Sequence, residues 1–118
     1  MKDARVGTRA APELVKAATA LQQAFAAADA PAAGELLHTD AVFVDMALRT
    51  QVTGRIETAR YLERVLEQVP YGRSSEFRHA VGGREGGGFE WTAAGGLVGI
   101  TALELDADGL ITSVTSVY

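Results

Sequence analysis

The stretch Ala41-Val42-Phe43-Val44-Asp45 decides how the rest of the chain is interpreted. Its four apolar residues predict a buried strand, and the alternation of side chains along a strand places Asp45 on the same face as Ala41 and Phe43. A carboxylate at the end of a buried strand is costly, because burial disfavours its charged form. We therefore take Asp45 as the first candidate for chemistry. The alternative is a strand-end residue that pairs with Arg49 or caps the following loop.

The composition indicates a globular protein. A chain of 118 residues fits one compact domain, and 47% hydrophobic with 22% charged residues is ordinary for such a domain. The net charge of −4, without a block of like charges, argues against nucleic acid and anionic membranes as partners. The absence of cysteine excludes disulfides, thiolate chemistry and zinc–thiolate sites.

The first nine residues are charged and contain no apolar signal-peptide core. We expect residues 1–9 to be a flexible segment and residues 10–118 to form a single domain. No apolar run approaches the roughly 20 residues that a membrane-spanning helix needs, so we expect a cytoplasmic protein without a membrane partner.

Helical spacing of apolar residues predicts three helices in the first part of the chain, at residues 11–29, 32–37 and 55–69. A strand at residues 41–46 and an edge strand or loop at 49–53 separate the second helix from the third.

After Pro70 the apolar period changes from helical spacing to two. This period predicts four strands with hairpin turns between them, at residues 76–82, 88–93, 97–105 and 110–117. Helices followed by an antiparallel meander indicate an α+β fold.

The strand at residues 97–105 is apolar on both faces, so both faces of the sheet need cover. Three short helices can cover only one face. We therefore predict a homodimer through the other face, formed by Val98, Ile100, Ala102, Ile111 and Val117.

Three motifs together resemble the nuclear transport factor 2-like superfamily, in its SnoaL-like and ketosteroid isomerase-like branch. They are Leu36-Leu37-His38-Thr39-Asp40 running on to Asp45 and Gly54, Phe89-Glu90-Trp91-Thr92 followed by Gly95-Gly96, and the ending from Asp108-Gly109 to Tyr118. The resemblance implies a cone, in which a strongly curved, mostly antiparallel sheet wraps around three N-terminal helices and encloses an apolar pocket. It also implies dimers through the sheet.

The resemblance implies a role for Asp45. In ketosteroid isomerase-like members an aspartate at the matching position is the base that moves a proton on carbon. The family's oxyanion tyrosine falls at Leu21 and its protonated aspartate falls at Thr101. Leu21 cannot donate a hydrogen bond and Thr101 donates more weakly than a carboxylic acid, so we do not predict ketosteroid isomerase activity.

Strand alternation gives a list of pocket residues that is independent of the family. It places Phe77 and His79 on one face, and we take His79 with Asp45 as the catalytic candidates. A histidine on an apolar strand face is more often an ordinary core residue, which is the alternative for His79. With two residues of the first predicted helix added to those from the strands, the predicted lining is mostly apolar: Leu21, Phe25, Phe43, Phe77, Phe89, Trp91, Thr101, Leu103, Val114, Ser116 and Tyr118.

Other motifs carry no function of their own. The glycines of residues 82–88 precede a predicted strand and lack the Gly-Lys-Ser/Thr ending of a phosphate-binding loop. His38 and His79 are too far apart for a His-Glu-x-x-His metal site, so we expect neither a metal nor another cofactor.

These observations support two hypotheses of function. The first is a small SnoaL-like enzyme that performs proton-transfer chemistry on a hydrophobic polyketide-, steroid- or terpenoid-like molecule, by isomerisation, cyclisation, dehydration or epoxide opening. The second is a non-catalytic member of the same fold that binds a small hydrophobic ligand or serves as a dimerisation module.

Overall fold

The computed structural model describes residues 9–118, which form three helices and one seven-stranded sheet. The helices are α1 (Pro12–Ala26), α2 (Ala30–Glu35) and α3 (Arg55–Val65). The strands are β1 (Arg9–Ala10), β2 (Leu37–Asp45), β3 (Thr50–Thr53), β4 (Glu76–Gly83), β5 (Gly86–Thr92), β6 (Val98–Leu105) and β7 (Ile111–Val117).

The sheet is open and mixed, with the strand order β1-β4-β5-β6-β7-β2-β3. Its centre is the predicted antiparallel meander from β4 to β7. Two parallel pairs, β2 with β7 and β1 with β4, extend the meander on either side. The α+β class and the mostly antiparallel sheet with its three helices are therefore confirmed. Of the segment at residues 1–9, only Arg9 is described, and it lies opposite Val81 in β1.

The longest helix, α1, buries one stripe against the sheet. Leu14, Ala18, Leu21 and Phe25 recur at helical spacing and are fully buried. Pro12 occupies the first turn, where its missing N–H costs no hydrogen bond. Among residues 9–118, no helix is both long and apolar enough to cross a bilayer.

The second helix begins earlier than the sequence predicted. We expected it to start at residue 32, after a break at Asp29, but it starts at Ala30. The Asp29 side chain accepts a hydrogen bond from the backbone N–H of Ala32 at 3.1 Å, and Pro31 fits the first turn. The supposed break is therefore a helix cap. The helix also ends earlier, at Glu35, because Leu37 is already paired with Ile111 in the sheet.

A β-bulge at Arg78 overturns one prediction about β4. Phe77 lies opposite Trp91 and His79 lies opposite Glu90, so Arg78 is an extra residue without a partner. A bulge of one residue exchanges the two faces of a strand beyond it. We predicted that His79 shares a face with Phe77, but the bulge places the two residues on opposite faces. Ala80 is buried in the core instead of His79.

A second bulge, at Thr112, corrects the predicted dimer face. Glu104 pairs with Ser113 and Leu105 pairs with Ile111, which leaves Thr112 as the extra residue in β7. Ile111 therefore turns inward and is fully buried, whereas we placed it on the outer face. The other four residues of that set, Val98, Ile100, Ala102 and Val117, are exposed.

Candidate functional site

Four neighbouring strands bring a row of buried side chains together on the inner face of the sheet. Phe89 in β5 lies opposite Thr101 in β6, which lies opposite Ser116 in β7, which lies opposite Asp45 in β2. All four residues are at most 2% exposed. The register thus places three polar side chains next to one another in an otherwise apolar interior. Asp45 also shares its face with Ala41 and Phe43, as predicted.

Asp45 at the end of this row is fully buried and accepts two hydrogen bonds. Its Oδ1 accepts from the backbone N–H of Leu48 at 2.9 Å, and its Oδ2 accepts from the hydroxyl of Tyr118 at 2.8 Å. The first bond closes the loop after β2, so the loop-capping interpretation is correct. No ion pair joins Asp45 to Arg49 within the described part of the chain, and the pairing alternative is wrong.

Tyr71 is a second tyrosine beside this carboxylate, and it was missed by the sequence analysis. Its side chain is fully buried. Burial raises the pKa of Tyr71 well above its ordinary value, and the negative charge of Asp45 raises it further. Its hydroxyl nevertheless meets no acceptor with hydrogen-bond geometry among residues 9–118. A buried hydroxyl without a partner is rare enough to need an explanation.

Aromatic rings surround Tyr71, and one of them belongs to Tyr118, which is hydrogen-bonded to Asp45. The ring of Tyr71 lies 5.3 Å from that of Phe25, 6.1 Å from Phe43, 6.2 Å from Trp91 and 5.9 Å from Tyr118, measured between centroids. These separations and tilted angles are those that aromatic pairs prefer. The carboxylate therefore lies at the edge of an aromatic cluster, next to the polar row formed by Thr101 and Ser116.

The loop between α3 and β4 holds Tyr71 in this cluster. Gln22 of α1 donates from Nε2 to the backbone oxygen of Ser75 at 2.9 Å and to its Oγ at 2.8 Å, and Ser75 Oγ donates to the backbone oxygen of Tyr71 at 2.9 Å. Gly72 lies against the carbonyl of Leu66, where a Cβ would come within 2.0 Å of the oxygen. Only glycine fits this turn.

A hydrogen-bonded chain of side chains orients Trp91 in the same interior. Its indole N–H donates to Thr101 Oγ1 at 3.0 Å, and the hydroxyls of Thr101 and Ser116 are 2.9 Å apart. Opposite Trp91 stands Gly99, where a Cβ would come within 2.1 Å of the indole ring. Gly99 therefore makes room for Trp91, a role that neither motif nor periodicity revealed.

The remaining predicted lining residues lie on the inner side of the sheet, whereas the catalytic candidate His79 does not. Leu21, Phe25, Leu103 and Val114 are buried in the core beneath the cluster, and Phe77 is half-buried, stacked on Phe89 with 5.6 Å between ring centroids. His79 is separated from all of them because it lies on the outer face, 3.5 Å from Glu90. His79 therefore does not meet Asp45.

The grooves of the surface lie away from Asp45. One of about 330 Å³ runs between α2 and α3, and another of about 330 Å³ lies between α1 and the turn that joins β6 to β7. Asp45 lines none of the five grooves identified on residues 9–118. Within those residues there is also no group of three or more side chains suited to hold a metal ion.

Solved structures of known fold match this architecture. A SnoaL-like protein of unknown function from Burkholderia thailandensis superposes with a TM-score of 0.75 at 12% identity, over 90% of this chain and 94% of that one. The chain has the nuclear transport factor 2-like fold.

Two further structures agree with the nuclear transport factor 2-like fold. A protein with a ketosteroid isomerase-like fold from Catenulispora acidiphila, in complex with trimethylamine, has a TM-score of 0.70 and 19% identity over 89% of this chain and 86% of its own. A steroid delta-isomerase from Pseudomonas aeruginosa has a TM-score of 0.70 and 20% identity, over 90% and 79% respectively. Neither a family model nor a curated protein sequence matches the chain.

Proposed function

We propose that this protein is a small acid/base enzyme of the SnoaL-like and ketosteroid isomerase-like kind, with Asp45 as the group that moves the proton. The observation that carries the proposal is a fully buried carboxylate at a strand end, which accepts a hydrogen bond from the Tyr118 hydroxyl at the edge of an aromatic cluster. A base in such an environment suits abstraction of a proton from carbon or activation of a water.

The surroundings of Asp45 indicate the class of substrate. Phe25, Phe43, Trp91 and the tyrosine rings favour a hydrophobic, ring-containing molecule such as a polyketide, steroid or terpenoid. The hydroxyls near the carboxylate favour a substrate that carries an oxygen beside the reacting carbon. Isomerisation, cyclisation, dehydration and epoxide opening all need these elements, and His79 has no part in the proposal because of its distance from this face.

The experiment compares Asp45→Asn with Asp40→Asn, a matched change at an exposed residue of the same strand. Each variant is assayed on a panel of enones, epoxides and polyketide mimics. We expect Asp45→Asn to lower kcat by about 100-fold or more, because removal of a general base costs that much, and Asp40→Asn to leave it unchanged. Equal activity of Asp45→Asn and the unmodified protein would contradict the proposal.

A second candidate function is a non-catalytic module that binds a small hydrophobic molecule. The observation that favours it is the engagement of both Asp45 oxygens, by the N–H of Leu48 and the hydroxyl of Tyr118. If Asp45→Asn left ligand binding intact and no substrate of the panel were turned over, this function would replace the first.

We also propose that the protein forms a homodimer through the outer face of the sheet. Four apolar side chains on that face are about half exposed, namely Val81 (54%), Val98 (49%), Ile100 (51%) and Val117 (50%). Ile100 and Val117 are paired on the neighbouring strands β6 and β7, and Val81 lies on β4, one strand further across the sheet beyond β5. The four side chains can therefore form one patch of the kind that marks an interface. A second copy of the sheet offers a matching apolar surface.

Light scattering on two arginine variants tests the homodimer. Ile100→Arg should produce monomers, because it buries a charge in the interface. Ile56→Arg is the control, since Ile56 is 67% exposed on α3, away from the sheet, and it should leave the mass unchanged. An unchanged mass for Ile100→Arg with retained helical circular dichroism would contradict this interface.

A further inference from the structure

We propose that the side chain of Tyr118 occupies a binding site for a hydroxyl-bearing aromatic or enolic ring, and that a ligand of this class binds at Asp45 by displacing it. The inference deepens the proposed function, on which it rests, because it names the chemical group that Asp45 receives. It is carried by the contacts of Tyr118, by its partial exposure and by the unpartnered hydroxyl of Tyr71.

The contacts of Tyr118 are those of a bound phenol. Its hydroxyl donates to Asp45 Oδ2 at 2.8 Å, and its ring lies 5.8 Å from the ring of Trp91 and 5.9 Å from that of Tyr71. A free phenol in the same position would make one charge-assisted hydrogen bond and the same ring contacts. The protein thus already contains a site that recognises a planar ring by its hydroxyl.

Tyr118 is more easily displaced than the other rings of the cluster. Tyr71, Trp91 and Phe43 are each 1% exposed, whereas Tyr118 is only partly buried. Its backbone lies beyond Val117, where the ladder between β7 and β6 ends. Movement of its side chain therefore breaks one hydrogen bond and exposes two ring surfaces, and leaves the sheet unchanged.

The hydroxyl of Tyr71 adds a second point of recognition. It is buried, it belongs to a ring 5.9 Å from that of Tyr118, and it meets no acceptor with hydrogen-bond geometry among the described residues. A ligand hydroxyl at this position can donate a hydrogen bond to Asp45, and its oxygen can accept one from the Tyr71 hydroxyl. A ketone or an ether cannot donate to the carboxylate, so the site prefers a phenol, or the enol that forms from a carbonyl substrate by the proposed proton transfer.

Removal of the Tyr118 side chain tests the proposal with p-cresol, toluene and 4-methylanisole as probes. We expect Tyr118→Ala to bind p-cresol at least tenfold more tightly than toluene or 4-methylanisole, by calorimetry and thermal shift. We also expect the unmodified protein to bind p-cresol at least tenfold more weakly than Tyr118→Ala, because its own tyrosine competes for the site.

Tyr61→Ala is the matched control. Tyr61 is also partly buried, and its ring lies 5.9 Å from Phe43, but no hydrogen bond joins its hydroxyl to Asp45 in the described structure. The same side chain is thus removed without uncovering the carboxylate. We expect Tyr61→Ala to bind p-cresol no better than toluene.

Equal affinity of Tyr118→Ala for p-cresol and toluene would overturn the proposal, as would equal p-cresol affinity in Tyr118→Ala and the unmodified protein. If Tyr118→Ala fails to fold, Tyr118→Phe keeps the ring and removes only its hydrogen bond. That variant should bind p-cresol more tightly than the unmodified protein, and an unchanged affinity would likewise overturn the proposal.

The two proposals fail in distinguishable ways. Loss of turnover in Asp45→Asn, without p-cresol selectivity in Tyr118→Ala, would leave the proton-transfer function and remove the phenol site. Selectivity for p-cresol without turnover of any substrate would leave a binding site and remove the enzymatic function.

Discussion

The two faces of β6 differ sharply, although they belong to the same eight residues. The inner face carries Gly99, Thr101, Leu103 and Leu105, all buried, and the outer face carries Val98, Ile100, Ala102 and Glu104, all exposed. The inner face is specified by particular contacts, because Gly99 makes room for the Trp91 ring and Thr101 accepts the hydrogen bond of its N–H. The outer face is specified only as an apolar surface. Substitutions on the two faces should therefore have very different costs.

Removal of the Trp91 ring should have the largest effect. Trp91 is 1% exposed and touches Tyr71 and Tyr118, so Trp91→Ala should lower the free energy of unfolding by about 3–5 kcal/mol. Glu104→Ala, a change at an exposed residue of the adjacent strand, should alter it by less than about 0.5 kcal/mol. Urea denaturation measures both values. Similar costs for the two variants would abolish the proposed difference between the faces.

A methyl group at Gly99 should have the next largest effect. Its Cβ would come within 2.1 Å of the Trp91 ring, so the indole must move. Gly99→Ala should cost about 2 kcal/mol and change the near-ultraviolet circular dichroism of Trp91. Gly83→Ala is the control, because a Cβ there has no heavy atom within 4 Å. An unaltered tryptophan signal in Gly99→Ala would show that the indole lies elsewhere.

Thr101→Val should have a smaller effect, since it keeps the shape of the side chain. The change leaves the Trp91 N–H and the Ser116 hydroxyl without Thr101 as partner, and we expect a cost of about 1 kcal/mol. Thr115→Val, on the opposite face of the next strand, should cost less than about 0.5 kcal/mol. Thermal melts of the two variants distinguish these costs. Equal melting temperatures would argue against the hydrogen-bonded chain of Trp91, Thr101 and Ser116.

Alkaline pH should weaken the inner face selectively. Burial, followed by the effect of Asp45, raises the pKa of both Tyr71 and Tyr118 above the ordinary value of 10.0. The folded protein therefore holds these protons more tightly than the unfolded chain. Their contribution to stability is fully present below pH 10 and is lost as the pH rises from there towards the folded pKa values. In Tyr71→Phe, the free energy of unfolding measured by urea denaturation should fall less steeply with pH across this range. A slope identical to that of the unmodified protein would show that Tyr71 does not cause the loss.

His79→Ala should have the smallest effect. The His79–Glu90 pair lies on the outer face, with side chains 38% and 35% exposed, and solvent screens such pairs. We expect a change of less than about 1 kcal/mol and an unchanged kcat on any substrate that requires Asp45. A loss of turnover in His79→Ala, with the fold intact, would place catalysis on the other face.

The sequence predicted most of the fold because its signals are local. Apolar spacing in α1 and alternation in β6 depend only on neighbouring residues, and both predictions agree with the structure. The burial of Asp45 beside Phe43 followed from the same alternation. Alternation failed for His79 and Ile111, because a bulge has no signature in a single sequence.

The site was predicted only in part, because some of its residues come from contacts between distant segments. Thr101, Ser116 and Tyr118 were found by strand alternation and lie in the same inner region as Asp45. Tyr71 lies in a loop without periodicity, and its position depends on the hydrogen bonds between Gln22 and Ser75, 53 residues apart. No local pattern could indicate that contact.

The unpaired residue in β4 has a consequence for redesign of this protein. Arg78 adds no rung to the ladder, so its deletion would join Phe77 directly to His79 and leave both residues on the faces that they now occupy. Deletion of a paired residue such as Ala80 would instead turn one end of the strand over. Arg78 is therefore a position at which the chain can be shortened by one residue without exchanging the two faces of β4.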